Sequence, residues 1–272
     1  MSSYMEMEGT EVKLNVGETF TRKAHTLSVA PVYYTSSDES VAKVDLNTGM
    51  VTAVDGGTAI ITAFVDADDV DDERSMSYQV TCYKSLNFAA DGDQGRLVCK
   101  DGHIHKLDCD EYCAAERVAM VAYVGNESDC EHGLAIAMKD ANDDAGKMVW
   151  ADAMDYVSTW ETNYPVANAE WRMPSTDDFQ YMAIGCGSDT GYKDYLNFSS
   201  AMEMNGFYAC MLEAGVAPME GLHWTSDGYD NSNAWEVKMT IKEEDPEQSV
   251  LLKFVFFGTN YNGDKTRYCL AF

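Results

Sequence analysis

Short stretches that alternate apolar and polar residues, separated by turn residues, fill the first part of the sequence. This period-two alternation, rich in β-branched residues, predicts strands at 12–16, 26–29, 41–44, 50–54, 59–65 and 77–83. The segments 47–49 (Asn-Thr-Gly) and 55–57 (Asp-Gly-Gly) supply residues that adopt the positive φ values of tight hairpin turns. Many short strands joined in this way are typical of an all-β sandwich.

The segment 34–63 has the most distinctive pattern, with Ser-Asp-Glu-Ser-Val-Ala-Lys-Val followed by Asn-Thr-Gly-Met-Val-Thr-Ala. It resembles the bacterial immunoglobulin-like domain of group 2, a module of bacterial surface proteins and phage tail proteins. The resemblance covers residues 8 to 84. It implies an immunoglobulin-like domain, placed at residues 1–87, that spaces or presents another domain.

An acidic run at 66–73 lies between two of the predicted strands. A calcium loop wraps oxygen ligands around one point and usually turns at a glycine, and no glycine occurs in this run. We interpret the run as a solvated hairpin loop.

From residue 88 onward, strand and helix patterns are mixed. Near-continuous apolar runs at 117–124 and 134–138 predict buried strands, and Ser175 is well placed to cap a helix after Pro174. Apolar residues at helical spacing predict helices at 148–159, 175–185 and 198–214. We therefore predict an α+β second domain at residues 88–272, with Trp171, Trp224 and Trp235 largely buried in it.

Several motifs follow one another in a fixed order: 133–140 (Gly-Leu-Ala-Ile-Ala-Met-Lys-Asp), 150–153, 171–175 (Trp-Arg-Met-Pro-Ser) with Phe179 and Met182, 223–226, 233–235 and 269–272. Together they resemble the C-type-lectin-like domain of variable proteins that diversity-generating retroelements diversify in bacteria and tailed phages, including those of gut Bacteroidales. The resemblance covers residues 94–272. A broader relative is the fold of sulfatase-modifying factors and of lipoproteins with a Trp-Arg-Leu-Pro-Ser motif.

This resemblance implies a variable region at 221–272, in which a stable frame carries exposed, ligand-binding positions. The frame it implies consists of Trp224, Ser226, Ala234, Trp235, Arg267, Leu270, Ala271 and Phe272. The ligand-binding residues it implies are His223, Asp227, Tyr229, Asp230, Asn231, Asn233, Glu236, Lys238, Tyr261, Asn262, Asp264, Lys265 and Tyr268. Their loops are rich in Tyr, Asn, Asp, Ser and Gly, a composition typical of adaptable contact surfaces and also of ordinary turns.

The charge of the chain excludes some partners. With 46 acidic and 19 basic residues, the formal net charge is −27, a field that repels phosphate backbones and anionic membrane surfaces. We therefore expect neither nucleic-acid binding nor membrane insertion. No apolar run is long enough to span a bilayer, and no secretion signal is visible in the first residues.

Cysteines and histidines raise the question of a metal site. The spacing Cys99-x3-His103-x-His105-x3-Cys109-x3-Cys113 matches no common zinc motif. We therefore expect mostly reduced, unligated thiols, with one or two disulfides allowed, and no metal or cofactor. Cys186 lies between glycines without a recognisable base or nucleophile elbow, so no catalytic residue is assigned.

The sequence thus predicts a non-enzymatic, adhesin-like binding protein, in which an immunoglobulin-like module presents a C-type-lectin-like domain. The expected partner is a protein or glycan on a target cell or particle. The expected location faces outward, on a virion tail or a bacterial cell surface, with attachment to a tail or surface assembly. Two alternatives are an undiversified surface lipoprotein or fimbrial adhesin of the same fold, and an enzyme that depends on a Cys/His metal site or resembles sulfatase-modifying factors.

Overall fold

The chain forms two compact units, Met1–Phe88 and Ala89–Phe272. The computed structural model describes residues 4–27, 30–67, 73–107, 117–141, 147–188, 202–203, 205–241, 250–258 and 265–272, with backbone alone at 202–203, 205, 239–241 and 250–258. The division falls next to the predicted boundary between residues 87 and 88. Within these residues, no helix combines the length and the apolar character needed to cross a membrane.

The first unit is built from strands and one short 3-10 helix at Leu86–Phe88. Its strands are β1 (Met5–Glu6), β2 (Glu11–Asn15), β3 (Thr19–Thr21), β4 (His25–Thr26), β5 (Tyr33–Ser36), β6 (Ala42–Val44), β7 (Met50–Ala53), β8 (Gly57–Val65) and β9 (Arg74–Ser85). The strands β1, β3 and β5 were not predicted, because two to four residues are too few for a period-two pattern to stand out.

Two main sheets form the first unit. In one, β2, β9, β8 and β5 lie side by side, with β2 parallel to β9 and the other pairs antiparallel. In the other, β7 lies between β3 and β6. Buried residues of both sheets, among them Val51, Ile61 and Val80, share one core cluster, so the predicted all-β sandwich is confirmed.

The second unit combines helices and strands. Its strands are β10 (Leu97–Cys99), β11 (His103–His105), β12 (Arg117–Val124), β13 (Gly133–Ala137), β14 (Glu170–Arg172), β15 (Met202–Glu203), β16 (Gly221–Gly228), β17 (Asn233–Ile241), β18 (Val250–Gly258) and β19 (Cys269–Ala271). Its helices are α1 (Trp150–Asn163), α2 (Thr176–Gly185) and α3 (Asn205–Glu213).

Antiparallel pairing organises these strands into two sheets. The first has the order β11-β10-β12-β13-β19-β14, so the C-terminal strand β19 lies between β13 and β14. The second has the order β15-β18-β17-β16. One core cluster joins residues of the first sheet, such as Ile136, to Phe179 of α2, Phe207 of α3 and Val237 of β17.

The start of α2 shows how the sequence fixes local structure here. Ser175 Oγ accepts a hydrogen bond from the Asp178 backbone nitrogen at 3.0 Å, and the Ser175 backbone nitrogen donates to Asp178 Oδ2 at 2.9 Å. This reciprocal capping box confirms Ser175 as the N-cap. Asp178 Oδ1 also accepts from Ser128 Oγ and from Arg172, each at 2.6 Å, so the buried carboxylate joins the helix to two neighbouring segments.

Helices close to the predicted positions are present. The helix α1 starts two residues later than predicted and ends four residues later, and α2 starts one residue later. Part of the predicted helix 198–214 lies outside the described residues, and α3 covers 205–213. Trp171 and Trp224 are buried as predicted, while Trp235 is half-buried and packs against the core.

Candidate functional site

The hairpin of β16 and β17 carries the loop to which the sequence assigned ligand binding. The backbone nitrogens of Tyr229 and Asp230 donate to the carbonyl oxygen of Asn233, at 2.8 and 3.1 Å. The Asp230 carboxylate accepts from the Ser232 backbone nitrogen at 2.7 Å and from Asn233 Nδ2 at 2.8 and 2.9 Å. These hydrogen bonds lower the pKa of Asp230, so the exposed loop presents a fixed negative charge.

Tyr229 is the large exposed side chain of this loop, with 45% of its surface accessible. Its ring meets the Trp235 ring edge-on, with centroids 5.3 Å apart and an interplanar angle of 90°. Because Trp235 packs against the core, the tyrosine rests on a supported aromatic surface. Edge-to-face pairs of this kind are favourable, so the phenol is held outward.

The base of the hairpin is tied to the start of α2. Asp227 Oδ2 accepts from the Thr176 backbone nitrogen at 2.7 Å and from its hydroxyl at 2.6 Å. The Ser226 backbone nitrogen donates to the Pro174 carbonyl oxygen at 2.9 Å. The Trp150 indole nitrogen donates to the Thr225 carbonyl oxygen at 2.8 Å. The exposed loop therefore stands on an anchored base.

The C-terminal segment runs along the outer edge of β16. The Trp224 backbone nitrogen donates to the Lys265 carbonyl oxygen, and the Lys265 nitrogen donates to the Leu222 carbonyl oxygen, both at 3.1 Å. Lys265 Nζ lies 3.6 Å from Asp140 Oδ2. The predicted binding residue Lys265 is thus half-buried and next to β16 rather than at the hairpin loop.

Asp140 joins this segment to the rest of the unit. Asp140 Oδ1 lies 3.1 Å from His223 Nε2 and accepts from Arg267 Nε at 2.8 Å. Burial by itself raises the pKa of Asp140, but the His223 hydrogen bond and the Arg267 charge lower it to about 2. Burial lowers the pKa of His223, and this outweighs the nearby carboxylate, which raises it. His223 is therefore neutral at pH 7.

The predicted ligand-binding residues fall into distinct environments. Tyr229, Asp230, Asn231 and Lys238 are exposed, and Asp227, Asn233 and Lys265 are half-buried. His223, Glu236 and Tyr268 are fully buried. Tyr261, Asn262 and Asp264 lie outside the described residues.

The three buried residues correct the sequence-based expectation of exposure. The side chain of His223 is enclosed beside Asp140. The hydroxyl of Tyr268 donates to the Ala153 carbonyl oxygen at 2.6 Å, which ties the C-terminal segment to α1. Neither side chain can contact a ligand in this arrangement.

The predicted exposure of Glu236 is wrong for a different reason. Strand alternation does place it on the face opposite Trp235 and Val237, as predicted. It is paired directly with Trp224, and directly opposed residues of an antiparallel pair share one face. The face is buried at this pair, since Glu236 and Trp224 each have 0% exposure. The predicted alternation was right, and the assumption that the second face meets solvent at Glu236 was wrong.

Sequence reasoning gave no role to Asp140 or Thr176, although both fix the geometry of the predicted site. Asp140 ends the motif 133–140, which was noted only as part of a resemblance. Thr176 is the first residue of a helix, where a carboxylate from another segment is favoured by the free backbone donors. The position of Thr176 at the predicted helix start was therefore the sequence feature that could have indicated this contact.

The cysteines also bear on the metal alternative. Cys99 is disulfide-bonded, and Cys82, Cys130, Cys186, Cys210 and Cys269 are free thiols. Ligand atoms of Cys99, Asp101 and His105 lie within 4.8 Å of one another, but a disulfide sulfur is not the thiolate that binds zinc. Cys109 and Cys113 lie outside the described residues.

Comparison with known families and proteins agrees with the first unit. Residues 5–73 match the family model of the bacterial Ig-like domain (group 2). The N-terminal unit carries a bacterial Ig-like domain. A search of curated proteins found no match to the sequence.

Three solved structures illustrate the low TM-scores of the alignments that were found. A Drosophila N-cadherin EC1-3 structure is 10% identical with a TM-score of 0.25, and the alignment covers 31% of this chain and 34% of that one. An intimin mutant of EHEC O157:H7 is 12% identical with a TM-score of 0.23 and coverages of 99% and 98%. Human protocadherin-24 EC1-2 is 12% identical with a TM-score of 0.26 and coverages of 93% and 96%. This chain spans about a third of the N-cadherin fragment. TM-scores this low do not establish a shared fold.

Proposed function

We propose that this protein is a non-enzymatic binding protein whose second unit recognises a protein or glycan on a target cell or particle. The recognition surface is centred on the hairpin loop at Tyr229, Asp230 and Asn231, with Lys238, Asp227, Asn233 and Lys265 further along the hairpin and its edge. The observation that carries the proposal is an exposed tyrosine held against Trp235, in a loop whose base is hydrogen-bonded to α2.

The chemistry of this loop suits recognition. A tyrosine supplies a large contact area with few rotatable bonds, and neighbouring Asn and Asp supply hydrogen-bonding groups. The hydrogen bonds around Asp230 hold the loop in one conformation before binding. Such preorganisation reduces the entropy that binding must overcome.

We further propose that the second unit is a C-type-lectin-like domain diversified by a retroelement and that the bacterial Ig-like domain presents it. The setting is a virion tail or a bacterial cell surface. Three of the motifs that carry the resemblance support this, because β13, β14 and β19 are neighbours in one sheet. The coding DNA tests the diversification. A near-duplicate template that differs at adenines, beside a reverse transcriptase gene, would support it, and its absence would favour an undiversified surface adhesin.

Binding can be tested with the fluorescently labelled full chain on a glycan microarray and on a panel of intact bacterial cells. The triple variant Tyr229→Ala, Asn231→Ala and Lys238→Ala is expected to lose at least ten-fold in apparent affinity, since exposed aromatic anchors dominate such contacts. The matched control replaces the exposed α1 residues Thr159, Glu161 and Asn163 by Ala and keeps full binding. Equal binding by the two triple variants would contradict the proposal.

A further inference from the structure

Two free cysteines meet where α2 and α3 pack together. Cys186 follows the last residue of α2 as its C-cap, and Cys210 lies in the second half of α3. Both are free thiols. Cys186 belongs to the core cluster of the second unit, and Cys210 is half-buried and packs against that cluster.

The backbone of α3 approaches Cys186 unusually closely. A Cβ atom at Gly206 would lie only 2.2 Å from the Cys186 carbonyl oxygen, so only glycine fits at this contact. The Phe207 backbone nitrogen also donates to Ser188 Oγ at 3.2 Å. Residues four apart share one helix face, so Cys210, one turn after Gly206, lies on the face that touches the end of α2.

This packing puts the two thiols in hydrogen-bond contact. The hydrogen bond from the Cys186 thiol lowers the pKa of Cys210, and the same bond, together with burial, raises the pKa of Cys186. Cys186 Sγ is also 3.4 Å from the Ala122 carbonyl oxygen, which helps to fix its position. Cys210 is thus the more nucleophilic and the more accessible of the two.

We propose that Cys186 and Cys210 form a disulfide that links α2 to α3 when the protein meets a disulfide oxidant. With oxidised glutathione as the oxidant, the Cys210 thiolate attacks one glutathione sulfur, and the first glutathione leaves. Cys186 then loses its proton and attacks Cys210 Sγ, and the second glutathione leaves. Two protein thiols and one oxidised glutathione thus become one protein disulfide and two reduced glutathiones.

The two other free thiols described in the second unit have different surroundings. Cys130 Sγ donates to the Gly125 carbonyl oxygen at 3.3 Å, and Cys269 is fully buried, 3.9 Å from Asp178 Oδ2. In both contacts the partner atom is an oxygen and not a second cysteine sulfur. Cys130 therefore offers a matched control for the reactive pair.

The experiment equilibrates the full chain with oxidised and reduced glutathione, blocks the remaining thiols with N-ethylmaleimide in denaturant and maps the peptides by mass spectrometry. The expected result is a cross-link between the Cys186 and Cys210 peptides and the loss of maleimide from both. Cys186→Ser is expected to accumulate a glutathione adduct on Cys210, since the resolving thiol is absent. Cys210→Ser leaves Cys186 labelled, and Cys130→Ser leaves the cross-link intact.

Thermal melting gives a second readout that does not depend on peptide mapping. In the oxidising buffer, the wild-type chain is expected to melt about 5–10 °C above Cys210→Ser, because the cross-link restricts the unfolded chain. Full maleimide labelling of both thiols in the wild-type chain would overturn the proposal. So would a glutathione adduct on wild-type Cys210 that is never resolved, or a cross-link from either residue to another cysteine.

Discussion

The carboxylate of Asp227 holds the first residue of α2, Thr176, through both its backbone nitrogen and its hydroxyl. The Asp227 side chain thereby joins the base of the hairpin to the start of the helix. A carboxylate is favoured at this position because the first backbone N–H groups of a helix have no partner within the helix. The contact with α2 therefore fixes the position of the exposed loop at 229–232.

Replacing Asp227 by Ala is expected to lower the free energy of unfolding by about 1–3 kcal/mol, since the Thr176 backbone donor loses its acceptor. Thr176→Val removes the hydroxyl bond alone and should cost about 1 kcal/mol. Urea unfolding followed by tryptophan fluorescence measures both. The exposed Asn231→Ala is the control and should change stability by less than about 0.5 kcal/mol. A similar loss in all three variants would mean that the contact contributes nothing specific.

The pH dependence of stability should reflect His223 and Asp140. Burial lowers the folded-state pKa of His223 below its usual 6.5, so the unfolded chain takes up a proton that the folded chain resists. Stability is then full above pH 6.5 and declines as the pH falls through 6.5 toward the folded-state pKa. Asp140, lowered from 3.8 to about 2, contributes about 2 kcal/mol that is lost between pH 3.8 and 2.

Urea midpoints measured from pH 8 to pH 5 test the histidine. His223→Gln should show a shallower decline than the wild-type chain, whatever its absolute stability. His105, whose pKa is also lowered by burial, contributes the same decline to both chains. The exposed Asn231→Ala removes no titratable group, so it is the control and should keep the wild-type slope. Parallel slopes for wild-type and His223→Gln would show that the buried imidazole does not titrate with unfolding.

Much of the fold could be predicted because local patterns decide it. Period-two runs located β7, β8 and β9, and the Pro174-Ser175 signal located α2 within one residue. Short strands such as β3 were missed because their residues pair through the sheet rather than through any local preference. The order of the strands was also not predictable, since β19 lies between β13 and β14, far away in the sequence.

Gly206 marks a contact that the sequence does not reveal, because only the folded chain brings the Cys186 carbonyl group against α3. Gly206→Ala is expected to destabilise the protein by about 1–3 kcal/mol, since a Cβ atom there forces the two backbones apart. Gly228→Ala is the matched control, because a Cβ atom at Gly228 meets nothing within 4 Å. Calorimetric melting distinguishes the two. Equal melting temperatures would mean that the helix can shift without loss of packing.

The candidate site could be predicted in part for a similar reason. Loop composition correctly identified Tyr229, Asp230 and Asn231 as exposed, since turn residues at a hairpin end usually meet solvent. Strand alternation separated the two faces of β17 but could not show that the second face is covered at Glu236. Burial of that face depends on which distant segments pack there, as the hydrogen bond from the Trp224 indole to the Met148 carbonyl oxygen at 2.9 Å illustrates.

Glu236 and Lys238 provide the most direct test of where this face of β17 is buried, because they lie two residues apart on it. Glu236 is fully buried and Lys238 is exposed. Glu236→Ala is expected to cost about 2–4 kcal/mol, because it removes a fully buried side chain and leaves a cavity. Lys238→Ala should change stability by less than about 0.5 kcal/mol. Circular dichroism melts of the two variants measure this difference. If both melted like the wild-type chain, the Glu236 side chain would contribute nothing to the folded frame.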